Sequence, residues 1–334
     1  MRLTMHPLLL LSIALSFVCT LLLTMRWIPV AKRAGLVGRD MNKPSKPEVA
    51  EMGGVAVLGG IVGGLLFYIG LNTFLFNNIS FNLQLFATMS TVLLIAIIGF
   101  IDDLLGWKLG LTQWQKPLLT IPAALPIMAI NAGVSYISLP LVGTPDLGIL
   151  YPLVFVPIGI VGASNGFNML AGYNGLEAGM GILIILGMGT ASYVTGSSHV
   201  AMICAVTAAA LSAFLIFNWY PAKVFPGNGF TYMVGAIIAC VAILANMEKL
   251  AIIAFIPYFA DFALKTRSKM KAEEFGKVQP DGSLKKPYER YYGLSHVFID
   301  IISKVKGKAY ERDVVAFCLA IEALCITLGV LLYL

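Results

Sequence analysis

Six stretches of the chain contain no Asp, Glu, Lys or Arg: residues 3–25, 52–101, 117–145, 147–176, 178–222 and 224–247. A helix crossing the roughly 30 Å hydrocarbon core of a bilayer takes about 20 apolar residues, so each stretch holds one crossing or two. Stretches 52–101 and 178–222 are too long for one, and turn-forming runs divide them, Asn77-Asn78-Ile79-Ser80 in the first and Gly196-Ser197-Ser198-His199 in the second. Composition agrees: of 334 residues, 58% are hydrophobic and 12% charged, against about 25% charged in an ordinary soluble domain. No aqueous core needs such an excess, which excludes a soluble globular protein.

The chain is therefore expected to be an all-α polytopic membrane protein, one integral-membrane domain over 1–334. Ten transmembrane helices are expected at about 7–27, 53–75, 84–101, 116–132, 147–164, 176–195, 200–217, 229–246, 248–265 and 313–333. The first reads as a retained span rather than a signal peptide, having one n-region charge, Arg2, and a long apolar run. Residues 133–148 alternate polar and apolar and then turn, which predicts a short extracytoplasmic β-hairpin. A long cytosolic loop is expected between helices 9 and 10.

Basic residues in short loops mark the cytoplasmic face. With ten spans, loops at about 28–52, 102–115, 165–175, 218–228 and 266–312 share one side. With the span ends beside them they hold every one of the 23 Lys and Arg residues except Arg2 and Lys249. That side is assigned to the cytosol, with both termini extracytoplasmic, in the cell membrane or, in a eukaryote, the endoplasmic reticulum membrane. The net charge of +6 then reflects topology and an anionic ligand, not nucleic acid. All five cysteines fall in apolar runs, as buried thiols rather than a disulfide frame or metal site.

The polar motifs collect on the same side. Asp102-Asp103 ends the third span. Adjacent carboxylates there oppose the helix dipole and are costly unless they neutralise something, most often a divalent cation with a phosphate substrate; the plainer alternative is a pair of solvated helix-end charges. Lys108 and Lys116 could hold diphosphate oxygens or simply mark the membrane edge. Asn165, Asn168 and Asn174, in a loop with glycines, could offer amide oxygens to a hard cation or serve as turns and caps. Glycines 53, 54, 59, 60, 63 and 64 are read as allowing close helix packing, not as cradling phosphate. His296 is read as a hydrogen-bonding residue, and Asp261 and Glu322 as intramembrane acids.

Together, Gly38-Arg-Asp-Met-Asn-Lys43, Gly99-Phe-Ile-Asp-Asp103, Asn168-Met-Leu-Ala-Gly-Tyr-Asn-Gly-Leu-Glu-Ala-Gly179 and Phe217-Asn-Trp-Tyr-Pro-Ala-Lys-Val-Phe-Pro-Gly227 resemble the polyprenyl-phosphate N-acetylhexosamine-1-phosphate transferase family. The resemblance is closest to its dolichyl-phosphate N-acetylglucosamine-phosphotransferase branch and runs from about residue 30 to the C-terminus. It implies ten transmembrane helices, a cytosolic active site, a UDP-N-acetylhexosamine donor, a polyprenyl or dolichyl phosphate acceptor and Mg²⁺, with Mn²⁺ as a substitute. It also implies catalytic roles for Asp102, Asp103 and Lys116, and metal ligation by Asp103, Asn174 and the residue at 228. Lys46, Asn165, Asn168, Glu177 and, from the long loop, Arg267, Lys269 and Lys271 are candidates for substrate binding.

One position departs from the pattern: the family has Gly-Asp where this chain has Gly227-Asn228. An amide keeps one oxygen ligand but loses a charge, so Mg²⁺ affinity should fall. The multi-histidine motif of the MurNAc-pentapeptide translocases is absent, which argues against a peptidoglycan precursor. The expected activity is transfer of GlcNAc-1-phosphate, or a close relative, from a UDP-sugar to the lipid phosphate with release of UMP, the first membrane step of lipid-linked glycan assembly for N-glycosylation. The alternatives are an impaired or engineered inactive member, because of Asn228, and a secondary transporter, whose polar site should lie at mid-membrane rather than on one face. A homodimer is left open.

Overall fold

The structure, a computed structural model, describes residues 7–110, 112, 114–136 and 143–334, without the side chains of 107–109. Its elements in order are α1 (Leu10–Arg33), β1 (Val37–Arg39), β2 (Glu48–Ala50), α2 (Gly54–Phe74), α3 (Asn82–Leu109), α4 (Gln115–Thr120), α5 (Leu125–Ala129), α6 (Val156–Phe167), α7 (Leu176–Val194), α8 (Ser198–Asn218), α9 (Asn228–Leu244), α10 (Glu248–Ala254), α11 (Ile256–Thr266), β3 (Lys277–Val278), β4 (Leu284–Lys285), α12 (Leu294–Lys306) and α13 (Glu311–Tyr333).

Helix forms at all ten expected span positions, but the helices are unequal. Among the described residues, six are long and apolar enough to cross a membrane: Pro7–Arg33, Gly54–Phe74, Asn82–Gly106, Leu176–Val194, Ser198–Asn218 and Glu311–Tyr333. Two more, Tyr151–Phe167 and Asn228–Leu244, are apolar but shorter. The fourth position is broken into α4, a 3₁₀ turn at Ile121–Ala124 and α5, a segment in which Pro117, Pro122 and Pro126 each remove a backbone donor. The ninth is broken at Phe255, with Pro257 opening α11. The chain is a multi-pass helical membrane protein.

α9 is its centre. Gly229 to Ile243 are buried without interruption, as expected of a helix apolar on every side. At 17 residues it is only about 26 Å long, tolerable because α2, α3 and α6 surround it rather than lipid. α3 crosses it at touching backbones: a Cβ on Gly99 would lie 2.6 Å from the Gly229 Cα. α1 turns a stripe of Ser12, Ser16, Thr20 and Thr24 inward, and α2 meets it with glycines. A Cβ on Gly60 would strike Thr20 Oγ1 at 1.8 Å, and one on Gly64 would lie 2.8 Å from Ser16 Cβ. Ser16 Oγ then donates to the Val206 carbonyl of α8 at 2.9 Å. The packing role expected of these glycines holds for 53, 54, 59, 60 and 64; Gly63 faces open space.

The loops sorted to one face do meet at one end of the bundle. The β1–β2 hairpin joins the 219–227 loop through Gly53 N–H to Phe225 O and Phe225 N–H to Ala50 O, and Asn42 Nδ2 donates to Gly172 O at 2.9 Å. At the other end, Val134 N–H donates to Asn246 Oδ1 and Tyr151 Oη to Glu248 Oε1 at 2.6 Å. The expected hairpin at 133–148 shows its outer pairing, Tyr136 with Asp146, while 137–142 lies outside the described residues. The loop after α11 differs from expectation. It contains the β3–β4 pair and amphipathic α12, whose Phe298, Ile299 and Ile302 are buried.

The Gly99 crossing makes a measurable claim. Gly99→Val is expected to force α3 off α9 and destabilise the protein by about 1–3 kcal/mol, read as a lower thermal midpoint in detergent. Gly63→Val, facing open space, is expected to leave the midpoint unchanged.

Candidate active site

A buried helix N-terminus leaves its first N–H groups without partners unless something supplies acceptors. For α9 that something is Asp103. Its Oδ1 accepts the Asn228 N–H at 2.8 Å and its Oδ2 the Gly229 N–H at 3.1 Å. Here the helix dipole works in favour of the charge: a carboxylate that opposes the C-terminal end of α3 sits against the positive end of α9. Gly106, with φ +63°, breaks α3 one turn beyond it. The paired acids divide the work. Asp102 is turned away, 4% exposed, and its Oδ2 pairs with Lys116 Nζ at 2.9 Å and accepts from Asn228 Nδ2 at 3.0 Å.

Asp103 opens onto a cavity of about 290 Å³ lined also by Arg39, Asp40, Glu51, Asn168, Glu177 and Asn228. Asn168, at the end of α6, accepts from Thr231 Oγ1 at 2.7 Å, so that amide is tied to the first turn of α9, which begins at Asn228. Glu177 Oε1 accepts the Gly172 N–H at 2.9 Å, while its Oε2 is buried without a partner. Burial pushes the Glu51 carboxyl above its ordinary range. Four acidic side chains and Arg39 line this wall, with Asp40 also paired to Lys43. Phosphate oxygens placed against acidic side chains would need a counter-cation.

Asn174, the other expected metal ligand, does not line this cavity. Its Oδ1 accepts the Ala222 N–H at 2.6 Å, its Nδ2 donates to Asp40 Oδ2 at 3.0 Å and Glu311 Oε1 at 2.6 Å, and its N–H also reaches Glu311. With Lys43, which pairs with both Asp40 and Glu311, it forms a buried network tying the N-terminal loop to the start of α13. Its amide oxygen thus faces the 219–227 loop rather than the cavity. Lys116 is held by Asp102 and is not among the cavity-lining residues. Asn165 donates to Thr120 Oγ1 at 3.1 Å, a link between α6 and α4 outside the cavity. Lys46, Arg267, Lys269 and Lys271 are exposed and away from it. His296 is a bonding residue, its Nδ1 accepting the Tyr292 N–H and its Nε2 facing Glu273 O, with burial holding its pKa below the usual histidine range.

Sequence reasoning missed Arg39, Asp40, Glu51 and Phe275 as wall residues. Arg39 and Asp40 stood inside a quoted motif without a role. Glu51 had one available signal, an acid immediately before a charge-free span.

A second, apolar cavity of about 330 Å³ lies between α6, α9, α10 and α11. The two cavities share helices: Asn168 and Thr231 serve the polar one, Ala163 and Ile238 the apolar one. Seven residues of α9, about 10 Å, separate a charged environment from a hydrocarbon one.

Among the described residues, no three His, Cys, Asp or Glu side chains converge to hold a metal. The donor set at the cavity is carboxylate plus amide oxygen, which fits Mg²⁺, an ion usually bound by one or two carboxylates together with substrate phosphate.

The profile of glycosyl transferase family 4 matches residues 85–246, which include Asp102, Asp103, Lys116, Asn168 and Asn228. A Saccharolobus solfataricus protein, provisionally named UDP-N-acetylglucosamine–dolichyl-phosphate N-acetylglucosaminephosphotransferase, is 35% identical over 97% of this chain and 96% of its own length. The UDP-N-acetylglucosamine–dolichyl-phosphate N-acetylglucosaminephosphotransferase of Dictyostelium discoideum is 26% identical over 92% of this chain and 85% of its own. A phospho-N-acetylmuramoyl-pentapeptide-transferase of Halalkalibacterium halodurans is 34% identical over 73% of this chain and 77% of its own. With 35% identity to the first of these over nearly the full length of both and the family match at its central helices, the chain belongs to glycosyl transferase family 4.

Proposed function

We propose that the protein transfers N-acetylglucosamine-1-phosphate from UDP-N-acetylglucosamine to a polyprenyl or dolichyl phosphate, releasing UMP, with ten membrane crossings and its polar cavity open to the cytosol. The observation that carries this reading is the pairing of the two cavities on α6 and α9. A reaction between a water-soluble nucleotide sugar and a membrane lipid needs a polar, phosphate-compatible chamber beside an apolar one. The names of the Saccharolobus and Dictyostelium relatives supply the sugar and the lipid.

An oxygen of the acceptor phosphate attacks the sugar-linked phosphorus of the donor. A new P–O–P bond forms, the bond from that phosphorus to the bridging oxygen breaks, and UMP leaves with that oxygen. Two anions must meet, so neutralising and aligning them is most of the work. Mg²⁺, held by Asp103 with the amide oxygens of Asn168 and Asn228, would supply charge neutralisation at the diphosphate. Arg39 is the cation on the wall itself. Asp103 fixes the first turn of α9, which carries Asn228 and Thr231 into place. Asp102 holds Lys116 and the Asn228 amide in fixed orientation.

Asn228 supports a second reading, of reduced metal affinity. Its Nδ2 donates to Asp102, a bond that a carboxylate at 228 cannot make. Asn228→Asp sets a second carboxylate against Asp102 and is expected to make the site more dependent on a cation. The Mg²⁺ concentration giving half-maximal UMP release should fall by about tenfold, the effect of one added ligand charge at about 1.4 kcal/mol. An unchanged Mg²⁺ titration removes residue 228 from the ligand set, and UMP release from the variant alone identifies this chain as an impaired member.

Asp103→Ala loses both the cavity carboxylate and the α9 cap. It is expected to abolish UMP release from UDP-N-acetylglucosamine, polyprenyl phosphate and Mg²⁺. Full activity in that variant overturns the proposal.

A further inference from the structure

Lys265 stands at the last turn of α11 and is used by nothing described so far. Its ammonium is largely buried, 12% exposed, and pairs with Asp261 Oδ2 at 2.9 Å and Glu274 Oε2 at 3.0 Å. It also donates to the carbonyl of Met169, the residue after cavity-lining Asn168. Each partner belongs to a different piece of chain. Asp261, fully buried, accepts the Leu294 N–H at 2.8 Å with its other oxygen and so holds the start of α12. Glu274 accepts from Ser295 Oγ at 2.6 Å through Oε1, and its carbonyl accepts from Tyr173 Oη at 3.1 Å. One ammonium thus joins α11, the segment 273–295 and the cavity wall 168–173.

The consequence falls on Phe275, next to Glu274. Phe275 lines the polar cavity and covers Gly172 so closely that a Cβ there would lie 2.8 Å from its ring. Without Lys265, two buried carboxylates would be left facing each other, and the segment carrying Phe275 would lose its tie to the wall.

We propose that Lys265 is a positioning residue, a three-way clamp that holds the 273–295 segment, with Phe275, against the wall at 168–173 and thereby shapes the donor side of the cavity. This rests on the transferase reading above only for the identity of the donor; the clamp itself is a statement about the fold. At the other end of the same short helix, Phe255 and Phe259 line the apolar cavity, so the clamp also ties the donor wall to the helix that borders that cavity.

The test compares Lys265→Met, Lys265→Arg, Phe275→Ala and the Lys265→Met/Phe275→Ala double variant, each as the full chain in detergent. Lys265→Met is expected to raise the KM for UDP-N-acetylglucosamine by about tenfold, with a smaller change in kcat and in the KM for polyprenyl phosphate. Lys265→Arg should recover part of the loss. The double variant should be no worse than the poorer single one, because the two residues act through one wall. Hydrogen exchange supplies a readout independent of catalysis: Lys265→Met should speed exchange in both 168–173 and 273–295. Unchanged exchange in those segments, or fully additive effects of the two substitutions, overturns the clamp. A wild-type protein with slow exchange there but no UMP release overturns the transferase reading and leaves the clamp standing.

Discussion

Everything at the polar end of this molecule depends on the two hydrogen bonds that Asp103 accepts from the first turn of α9. The first N–H groups of a helix have no partner within it, and Asp103 is placed to supply one for Asn228 and Gly229 where α9 enters the buried interior. The cap works only because α3 and α9 touch at Gly99 and Gly229, where any larger residue would hold the backbones apart. Asp103 therefore has two tasks at one spot. It completes a helix and it presents a carboxylate to a cavity.

Much of this was legible in the sequence. The charge-free stretches located helix at eight positions and two further apolar segments at the rest, and the sorting of basic residues brought together loops that do meet at one end. The crossing helices were less legible where proline and burial intervene. The 115–129 and 248–266 segments have the composition of spans, but proline breaks the backbone ladder, and composition alone does not register that. α12 was missed for the opposite reason. Asp300, Ser303, Lys304 and Lys306 give it the look of a polar loop, while Phe298, Ile299 and Ile302 carry the helical spacing of a half-buried helix.

Among the site residues the motif was right in kind and imprecise in phase. Asn168 and Asn174 stand six positions apart in one motif, but Gly172 and Gly175, both with positive φ, turn the chain between and after them. One amide faces α9 and the other faces Glu311. No spacing rule distinguishes them, because the turn is set by backbone conformation rather than by side-chain pattern. The lysines of the 265–271 run show the same limit: Lys265 points inward and pairs, and Lys269 and Lys271, on the turn that follows, point outward.

The two cavities on α6 and α9 have one more consequence under the proposed activity. One substrate would arrive from three dimensions and the other from two. The donor would be sensed as a bulk concentration, whereas the lipid acceptor would be sensed as a mole fraction within the bilayer, reaching the apolar cavity by lateral diffusion and leaving by the same route. Diluting the membrane with inert phospholipid at constant protein and constant total acceptor would then slow turnover, even though nothing in the aqueous phase had changed. The 10 Å or so of α9 between Thr231 and Ile238 is where those two ways of counting molecules meet.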